Sequence, residues 1–528
     1  MRKIVNGFVR ANGRIIENND GEILLKGFGI GNWLLCEGYM WQHQGSPRMD
    51  RPHRIEQVVR ELIGEQKSKV FWKKFRENYF TKEDVQYLKE MGHNSIRIPI
   101  NWTLFLEDEP NVIFKNEGFD ILDACIAWCR EADMYVWIDM HGAPGGQTGA
   151  NIDDCIDDMP RLFMDADKFE KGLVLWEEIA KRFKDEETVA GYDLLNEPIR
   201  PERGEEVPNC DYLVPELIRF YKEAIKRIRK IDRNHLIALE GHHWSTTTAI
   251  FNQKYDDNFC IHFHRYWDFP TEELFSAFLE KSKEWNVPLW LGETGENSNE
   301  WFSAVSQICD KYGISYHFWP YKKMGAHNCS ATIKTPEDWD EIIAYTKRKS
   351  HPGYETAEKI LNEFLDNMLL KNCHKNSEVD RAILRNDEYN LCAVDFAETE
   401  GSYKGNANSV NVFGFKTNSG LSFVMKTNDN ETYKSILGWN FSKGRRWDML
   451  NLVLEEGEFV SYYAPNFNAT KVEIHFKAEK DSIITFAEKE ITINESNNVV
   501  VLLEKPEIKL LKLACLKGKA EIDSIRFL

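Results

Sequence analysis

The sequence predicts an α/β chain in two parts, a (β/α)8 TIM barrel over residues 1–374 and an antiparallel β-sandwich over residues 375–528. Three observations predict it. Up to about residue 350, short apolar runs alternate with longer amphipathic segments, the pattern of parallel strands joined by crossover helices. Eight such runs can be counted, the number that closes a barrel. From roughly Glu378 onward the texture changes to short alternating stretches separated by Asn, Gly, Ser and Asp turns.

The eight runs cover residues 23–33, 95–100, 135–140, 189–196, 236–240, 259–266, 288–293 and 314–319. They are near-continuous in apolar residues, as strands covered on both faces must be. Between them, Thr81-Lys-Glu-Asp84 reads as a capping box, Val85, Leu88 and Met91 follow at helical spacing, and Gly92 stops the helix. Residues 119–132, 169–183, 217–231, 272–285 and 301–312 repeat the helical pattern, and a last helix is expected at 355–370. The long first connection, residues 36–80, is too rich in charge and aromatic residues for a plain linker and is expected to fold over the barrel mouth or flank. In the second part, residues 471–476, 482–486 and 498–503 read as strands.

Composition narrows the function classes. Hydrophobic residues make up 42% and charged residues 29%, the balance of a globular chain. A formal net charge of −18 argues against nucleic acid or anionic lipid as partner, since both demand a concentrated basic surface. The opening Met-Arg-Lys-Ile-Val-Asn-Gly has no apolar run behind its basic residues, and no stretch approaches the roughly 20 residues that span a bilayer. The 11 cysteines are scattered without a C-x-x-C pair and read as free thiols, with Cys125 and Cys129 in buried core. Together these predict a cytoplasmic chain without membrane insertion.

In barrels the reactive groups stand where strands end and the following loops begin. Strand four ends in Asn196-Glu197-Pro198, strand seven in Gly292-Glu293-Thr294, strand three in His141-Gly142, strand six in His264-Arg265-Tyr266 and strand eight in Trp319. Two carboxylates on strands four and seven face each other across the barrel mouth. Glycosidic bond cleavage needs that pair, one acid to protonate the leaving oxygen and one carboxylate on the other side of the anomeric carbon. A spacing of about 5–5.5 Å between them implies direct attack, a covalent glycosyl-enzyme and net retention. The group His242, His243, His262 and His264 with Glu240 invites a metal reading, but strand-end placement accounts for most of it, so no metal or other cofactor is expected.

The sequence resembles family 5 glycoside hydrolases, the cellulase-type members of the 4/7 barrel superfamily, over residues 20–345. The matching pieces are Lys-Gly-Phe-Gly-Ile-Gly-Asn-Trp-Leu (26–34), Asn-Ser-Ile-Arg-Ile-Pro-Ile (94–100), Asp-Met-His-Gly-Ala-Pro-Gly (139–145), Asp-Leu-Leu-Asn-Glu-Pro (193–198), His-Phe-His-Arg-Tyr (262–266), Leu-Gly-Glu-Thr-Gly (291–295) and Phe-Trp-Pro-Tyr-Lys (318–322). The resemblance implies that Glu197 is the acid/base and Glu293 the nucleophile. Each supporting residue has a physical role beside that. Arg97 beneath the nucleophile keeps it ionised. Tyr266 orients Glu293, and Asn196 bonds the sugar 2-hydroxyl as the transition state develops. His141 and His264 position hydroxyls or the acid/base, and Trp319 offers a ring face to sugar C–H groups.

Within that family, Gly31-Asn-Trp-Leu-Leu-Cys-Glu37 and His141-Gly-Ala-Pro-Gly-Gly-Gln-Thr-Gly149 resemble segments of exo-1,3-glucanases, with Glu37 in the place of a residue that grips the terminal glucose and Trp33 beside it. Asn32 replaces the second of that family's paired glycines. Tyr39, Trp41 and His43 on the first loop, with His243 and Trp244 on the fifth, are expected to wall the cleft into a pocket for single terminal sugars. The reading is a retaining β-glycosidase acting on β-glucosides or β-gluco-oligosaccharides. The alternatives are an endo-β-1,4-glucanase, a glycolipid-cleaving glycosidase and, from another class, a non-catalytic carbohydrate-binding protein. Tyr462, Tyr463 and Phe467 are candidates for a sugar-docking row on the second domain, for which core packing is the better reading.

Overall fold

The computed structural model describes residues 3–43, 47–108, 111–202, 209–397, 415–416, 419–426, 432–434, 440–442, 446–464, 471–493, 498–502 and 510–528. Phe467 and residue 503 lie outside them. Eight strands, β1 Lys26–Gly29, β2 Ser95–Asn101, β3 Tyr135–Gly142, β4 Val189–Asp193, β5 Leu236–Glu240, β6 Phe259–Tyr266, β7 Leu289–Gly295 and β8 Ser315–Trp319, form a closed barrel in sequence order. Parallel registers such as Gly27↔Ser95, Ser95↔Tyr135 and Tyr316↔Lys26 link neighbours. Every residue of β2, β3, β4, β5 and β7 is buried, which is why these runs read as continuously apolar. Among the described residues, no helix is long and apolar enough to cross a membrane.

The N-terminal end of the barrel is stoppered. A short sheet of Arg10–Asn12, Ile15–Asn18 and Gly21–Glu22 carries Val9 and Ile16 into one apolar cluster with Leu25, Tyr135, Ala190, Leu236 and Trp290. The predicted first strand, residues 23–33, is shortened: Ile23 N–H still donates to Ile16 O of the small sheet at 2.9 Å, and only Lys26–Gly29 enters the barrel.

The capping box stands as predicted, with Thr81 N–H donating to Asp84 Oδ2 at 2.8 Å, and the helix Lys82–Met91 ends at Gly92 with φ +105°. Asp84 also meets the buried Lys322 Nζ at 2.6 Å, which ties the cap to the segment after β8. The long first connection folds as a 3-10 turn, Gly38–Trp41, and two helices, Pro52–Ile63 and Glu65–Tyr79. Trp41 lies inside an aromatic cluster with Phe75 (ring centroids 5.5 Å apart), Trp72 and Phe364, so this insertion has a core of its own.

Two compact units divide the chain. The first comprises Met1–Arg265, Ala277–Thr294 and Ile314–Asn376, the second Tyr266–Ser276, Gly295–Gly313 and Ser377–Leu528. The second begins its C-terminal part with a helix, Ser377–Leu384, where the sequence suggested strands; its apolar Val379, Ile383 and Leu384 are buried. Among the described residues, a two-stranded antiparallel pair, Thr432–Lys434 with Asn440–Ser442, and two larger antiparallel sheets follow. One runs Ser422–Met425, Leu450–Glu455, Lys519–Phe527, Lys471–Ala478, Asn498–Leu502, with Tyr389–Cys392 paired to Lys519–Phe527; the other runs Phe459–Tyr463, Leu510–Lys517, Ile483–Phe486, Lys489–Thr492. Val472, Ile474 and Phe476 alternate inward along one strand, the mark of a sheet with one buried face. Tyr462 is fully buried and donates to Ala393 O at 2.7 Å, which makes it core.

The helix after β7, Asn299–Tyr312, belongs to this second unit. Its buried polar face explains why: Ser303 donates to Ala382 O at 3.0 Å, Gln307 accepts from Tyr463 N–H at 2.9 Å, and Asp310 pairs with Arg385.

Candidate active site

The C-terminal ends of β2 to β8 bring one cation and four carboxylates together. Arg97, on β2, is fully buried. Its Nη1 donates to Glu293 Oε2 at 2.9 Å and its Nε to Asp193 Oδ2 at 3.0 Å. Its Nη2 donates to Asn196 Oδ1 at 2.8 Å and stands 3.1 Å from Asp139 Oδ2 and 3.4 Å from Glu240 Oε1. The planar fork of arginine lets one side chain hold all of them. A single positive charge against four acids keeps their carboxyl groups from ionising together. Burial, and then the charge of Asp193, pushes Asp139 and Glu240 up against the pull of Arg97, and burial raises Asp193 to about 6 against the same pull.

Glu197 follows Asn196 in the left-handed region, φ 44°, and Ile199 shares that conformation, φ 54°. Such backbone persists only where its surroundings hold it. Here Glu197 N–H donates to Glu240 Oε2 at 2.7 Å and its carbonyl accepts from Thr148 Oγ1 at 2.9 Å. Gln147 Nε2 donates to the carbonyls of both His141 and Asn196, at 2.7 and 2.8 Å, so the β3 loop braces the end of β4. One oxygen of Glu197, one of Glu293 and a nitrogen of His264 lie within 4.8 Å of one another. The Glu197 and Glu293 side chains keep 13% and 8% exposure while Arg97, Asp139, Asp193 and Glu240 have none, so these two alone of the acids on this cluster open to a substrate. Burial, the charge of Glu293 and then that of Glu37 lift the Glu197 carboxyl well above the usual range.

Three imidazoles close the cluster. His141 Nδ1 lies 2.8 Å from Asp139 Oδ2 and its Nε2 3.2 Å from Asn196 Nδ2, and burial and Arg97 lower its pKa to about 3. His264 Nδ1 lies 2.7 Å from Glu197 Oε1. His262 Nδ1 lies 3.0 Å from both Asp193 and Glu240, over the face of Trp290 at 4.1 Å. Burial drives His262 and His264 well below the ordinary imidazole range, so both rings are neutral. Gly292 makes the room, since a Cβ there would sit 2.0 Å from His262 Nε2.

Trp319 stacks on His141 with centroids 5.2 Å apart and planes 3° from parallel, and its Nε1 donates to Tyr39 OH at 2.9 Å. Gly29 and Gly31 lie against its other edge, where a Cβ would approach to 2.5 and 2.6 Å. Gly31→Ala should therefore tilt Trp319, raise KM about tenfold or more and cost about 1–3 kcal/mol of stability; equal KM and Tm in variant and parent would contradict this packing.

The structure thus brings together Arg97, His141, Asn196, Glu197, His264, Glu293 and Trp319, with Glu37 close enough to act on Glu197 by charge. The other expected residues are placed as follows. Trp33 is 2% exposed, donates from Nε1 to Arg76 O at 2.9 Å and packs on Phe80, so it supports the first connection. Trp41 and His43 are also interior, His43 Nδ1 lying 3.1 Å from Thr346 Oγ1, because the inserted helices needed a core. His243 and Trp244 adopt left-handed backbone, φ 56° each, and His243 Nε2 pairs with Asp211 Oδ1 at 2.7 Å, on the loop after β4. Tyr266 is the last residue of β6, the strand that also carries His262 and His264, and its ring lies 5.4 Å from Trp267. Asp139 and Asp193 have no expected role from sequence, and His262 only a place in the candidate metal group; a lone acid or histidine at the inner end of an otherwise apolar strand is the signal they offer.

Paired acids over a buried arginine at the mouth of an eight-stranded parallel barrel define a glycoside-cleaving type of enzyme. The profile described as cellulase (glycosyl hydrolase family 5) matches residues 60–325, just over half of the chain. The chain belongs to glycosyl hydrolase family 5 and is a glycoside hydrolase with a carbohydrate substrate. It is 28% identical over 348 residues to a β-xylosidase of Phanerodontia chrysosporium, covering 59% of this chain and 70% of that protein. It is 27% identical over 318 residues to a glucan 1,3-β-glucosidase of Lachancea kluyveri, covering 56% and 68%. A solved endogalactoceramidase aligns over 99% of this chain and all of its own at 13% identity, with a TM-score of 0.47.

Proposed function

We propose that the chain is a retaining, exo-acting β-glycosidase that releases single sugars from β-glucosides or β-gluco-oligosaccharides, with Glu197 as acid/base and Glu293 as nucleophile. The observation that carries this is the approach of the two carboxylates, whose nearest oxygens lie within 4.8 Å. That approach lets a single anomeric carbon meet both carboxylates, as direct attack requires. Arg97 on Glu293 favours its ionised, attacking form, while burial and neighbouring charge keep the proton on Glu197. Asn196, held by Arg97 and His141, stands beside the pair to meet the 2-hydroxyl. For exo action, support comes from buried Glu37 within electrostatic reach of Glu197, from Tyr39 against Trp319, and from relatives named as a β-xylosidase and a glucan 1,3-β-glucosidase.

The test is hydrolysis of a panel of aryl β-glycosides, xylosides included, and matching oligosaccharides, with products and first-formed anomer identified. Single sugars of retained configuration are expected; mixed oligomers would overturn exo action, and inverted product the mechanism. Glu197 works in its protonated form, so kcat/KM should hold below its raised pKa and fall as pH climbs through it. Glu37→Gln removes one cause of that rise, so the alkaline limb should move to lower pH; an unmoved limb would count against the proximity of these two groups.

A further inference from the structure

Glu197 needs only one carboxylate oxygen to meet a leaving group. Its Oε1 is engaged inward, 2.7 Å from His264 Nδ1, and that contact heads a chain. His264 Nε2 lies 3.0 Å from His262 Nε2, and His262 Nδ1 lies 3.0 Å from Asp193 Oδ1 and from Glu240 Oε1. Beyond Glu197 the chain is sealed, with side-chain exposures of 1% for His264 and zero for His262, Asp193 and Glu240.

Two neutral imidazoles facing each other through Nε2 share one proton, so the tautomer of one ring dictates that of the other. When His264 Nδ1–H donates to Glu197, His262 carries its proton on Nε2, and its bare Nδ1 must accept from a carboxyl of the Asp193–Glu240 pair. In the opposite arrangement Glu197 Oε1 carries a proton and His262 Nδ1–H donates to a buried carboxylate. The two states differ by three proton hops, the first two along hydrogen bonds already made and the third across the 3.0 Å approach of His262 Nδ1 to the acids, where a small turn of the ring or carboxyl has to complete the bond.

We propose that His264, His262 and the Asp193–Glu240 pair form a proton relay that delivers a proton to Glu197 Oε1 while its other oxygen gives one to the leaving group. The step balances. The leaving oxygen gains the proton of the outer Glu197 oxygen, Glu197 Oε1 gains that of His264 Nδ1, His264 Nε2 gains that of His262 Nε2, and His262 Nδ1 gains that of the buried carboxyl. Both rings end neutral in the other tautomer, and the negative charge rests on Asp193 or Glu240. When water attacks the glycosyl ester, its proton goes to the outer oxygen and the three hops reverse.

Electrostatics gives the relay its direction. Glu293 loses its charge as it forms the ester, and Arg97 loses an anion that stood at 2.9 Å. The relay moves the new charge from Glu197 to acids 3.0 and 3.4 Å from the same guanidinium. The raised Asp193 and Glu240 carboxyls and the lowered imidazoles match a chain that stores its proton on carboxyl oxygen. The other titratable groups facing the cluster leave the chain intact: Asp139 and His141 pair with each other, His317 is held between Ser95 and Trp290, and Glu37 acts on Glu197 through its charge.

The relay rests on Glu197 being the acid/base, and the test separates the two. We would measure kcat/KM in mixtures of H2O and D2O on a glycoside with a poor leaving group, for wild type and His262→Phe, whose ring preserves the stacking on Trp290. Several protons in flight give a bowed dependence on deuterium fraction in wild type, and the variant should give a straight line. The variant should also lose about tenfold or more on that substrate but under about twofold on a dinitrophenyl glycoside, which needs no proton. A straight line in wild type, or equal losses on both substrates, overturns the relay while leaving the glycosidase reading intact. If His262→Phe does not fold, the wild-type curve decides. Wild type inert on both substrates overturns the glycosidase reading and the relay with it.

Discussion

Replacing Glu293 with Gly should reduce turnover on the order of 10^4-fold or more, the scale expected when a covalent nucleophile is lost. Azide should then restore activity and yield the glycosyl azide of opposite anomeric configuration, because a small anion enters the space the carboxylate leaves and attacks once. The variant should fold, since Arg97 keeps Asp193, Asp139 and Glu240 as partners. Near-normal hydrolysis of an activated glycoside, or rescue with the same anomer as wild type, would remove Glu293 from the proposed role.

The second large effect is expected at Arg97. Arg97→Met keeps an unbranched chain but leaves four buried acids without their cation, which should cost about 3–5 kcal/mol and most activity. Its pH dependence has a definite sign. Without the guanidinium, the carboxyls sit even further above their unfolded values than Asp193 does at about 6. Such groups stabilise the fold fully below the unfolded carboxylate range near pH 4 and lose that contribution as pH rises through the folded value. The variant should therefore melt closest to wild type in acid and fall away from it toward neutral pH. A constant difference in Tm across pH 4–8 would show that the arginine is not what holds these acids.

Much of the barrel is written locally. An eight-fold alternation of apolar runs and amphipathic segments needs no long-range information to read, and Thr81, Asp84 and Gly92 announce a helix by chemistry that acts within a few residues. The acids at the ends of β4 and β7 were legible because the barrel tells where strand ends meet. What was not legible depends on closure. Asp139, Asp193 and Glu240 look like single polar residues in separate runs, and only the bending of β3, β4 and β5 around Arg97 makes them one group. Trp41 and His43 failed for the converse reason: aromatic residues in a long loop serve a cleft or a local core equally well by composition, and the packing of Glu65–Tyr79 against Tyr354–Asn367 decided for the core. The shortening of the first predicted strand likewise came from a partner, the N-terminal sheet that takes Ile23, which hydrophobic periodicity does not reveal.

The helix Asn299–Tyr312 is spelled between β7 and β8 yet bonded to residues 382, 385, 395 and 463. A gene fragment stopping near residue 376 would strand Ser303, Gln307 and Asp310 without acceptors or donors. Exchanging the C-terminal part for an unrelated module would therefore require rewriting residues 299–312 as well.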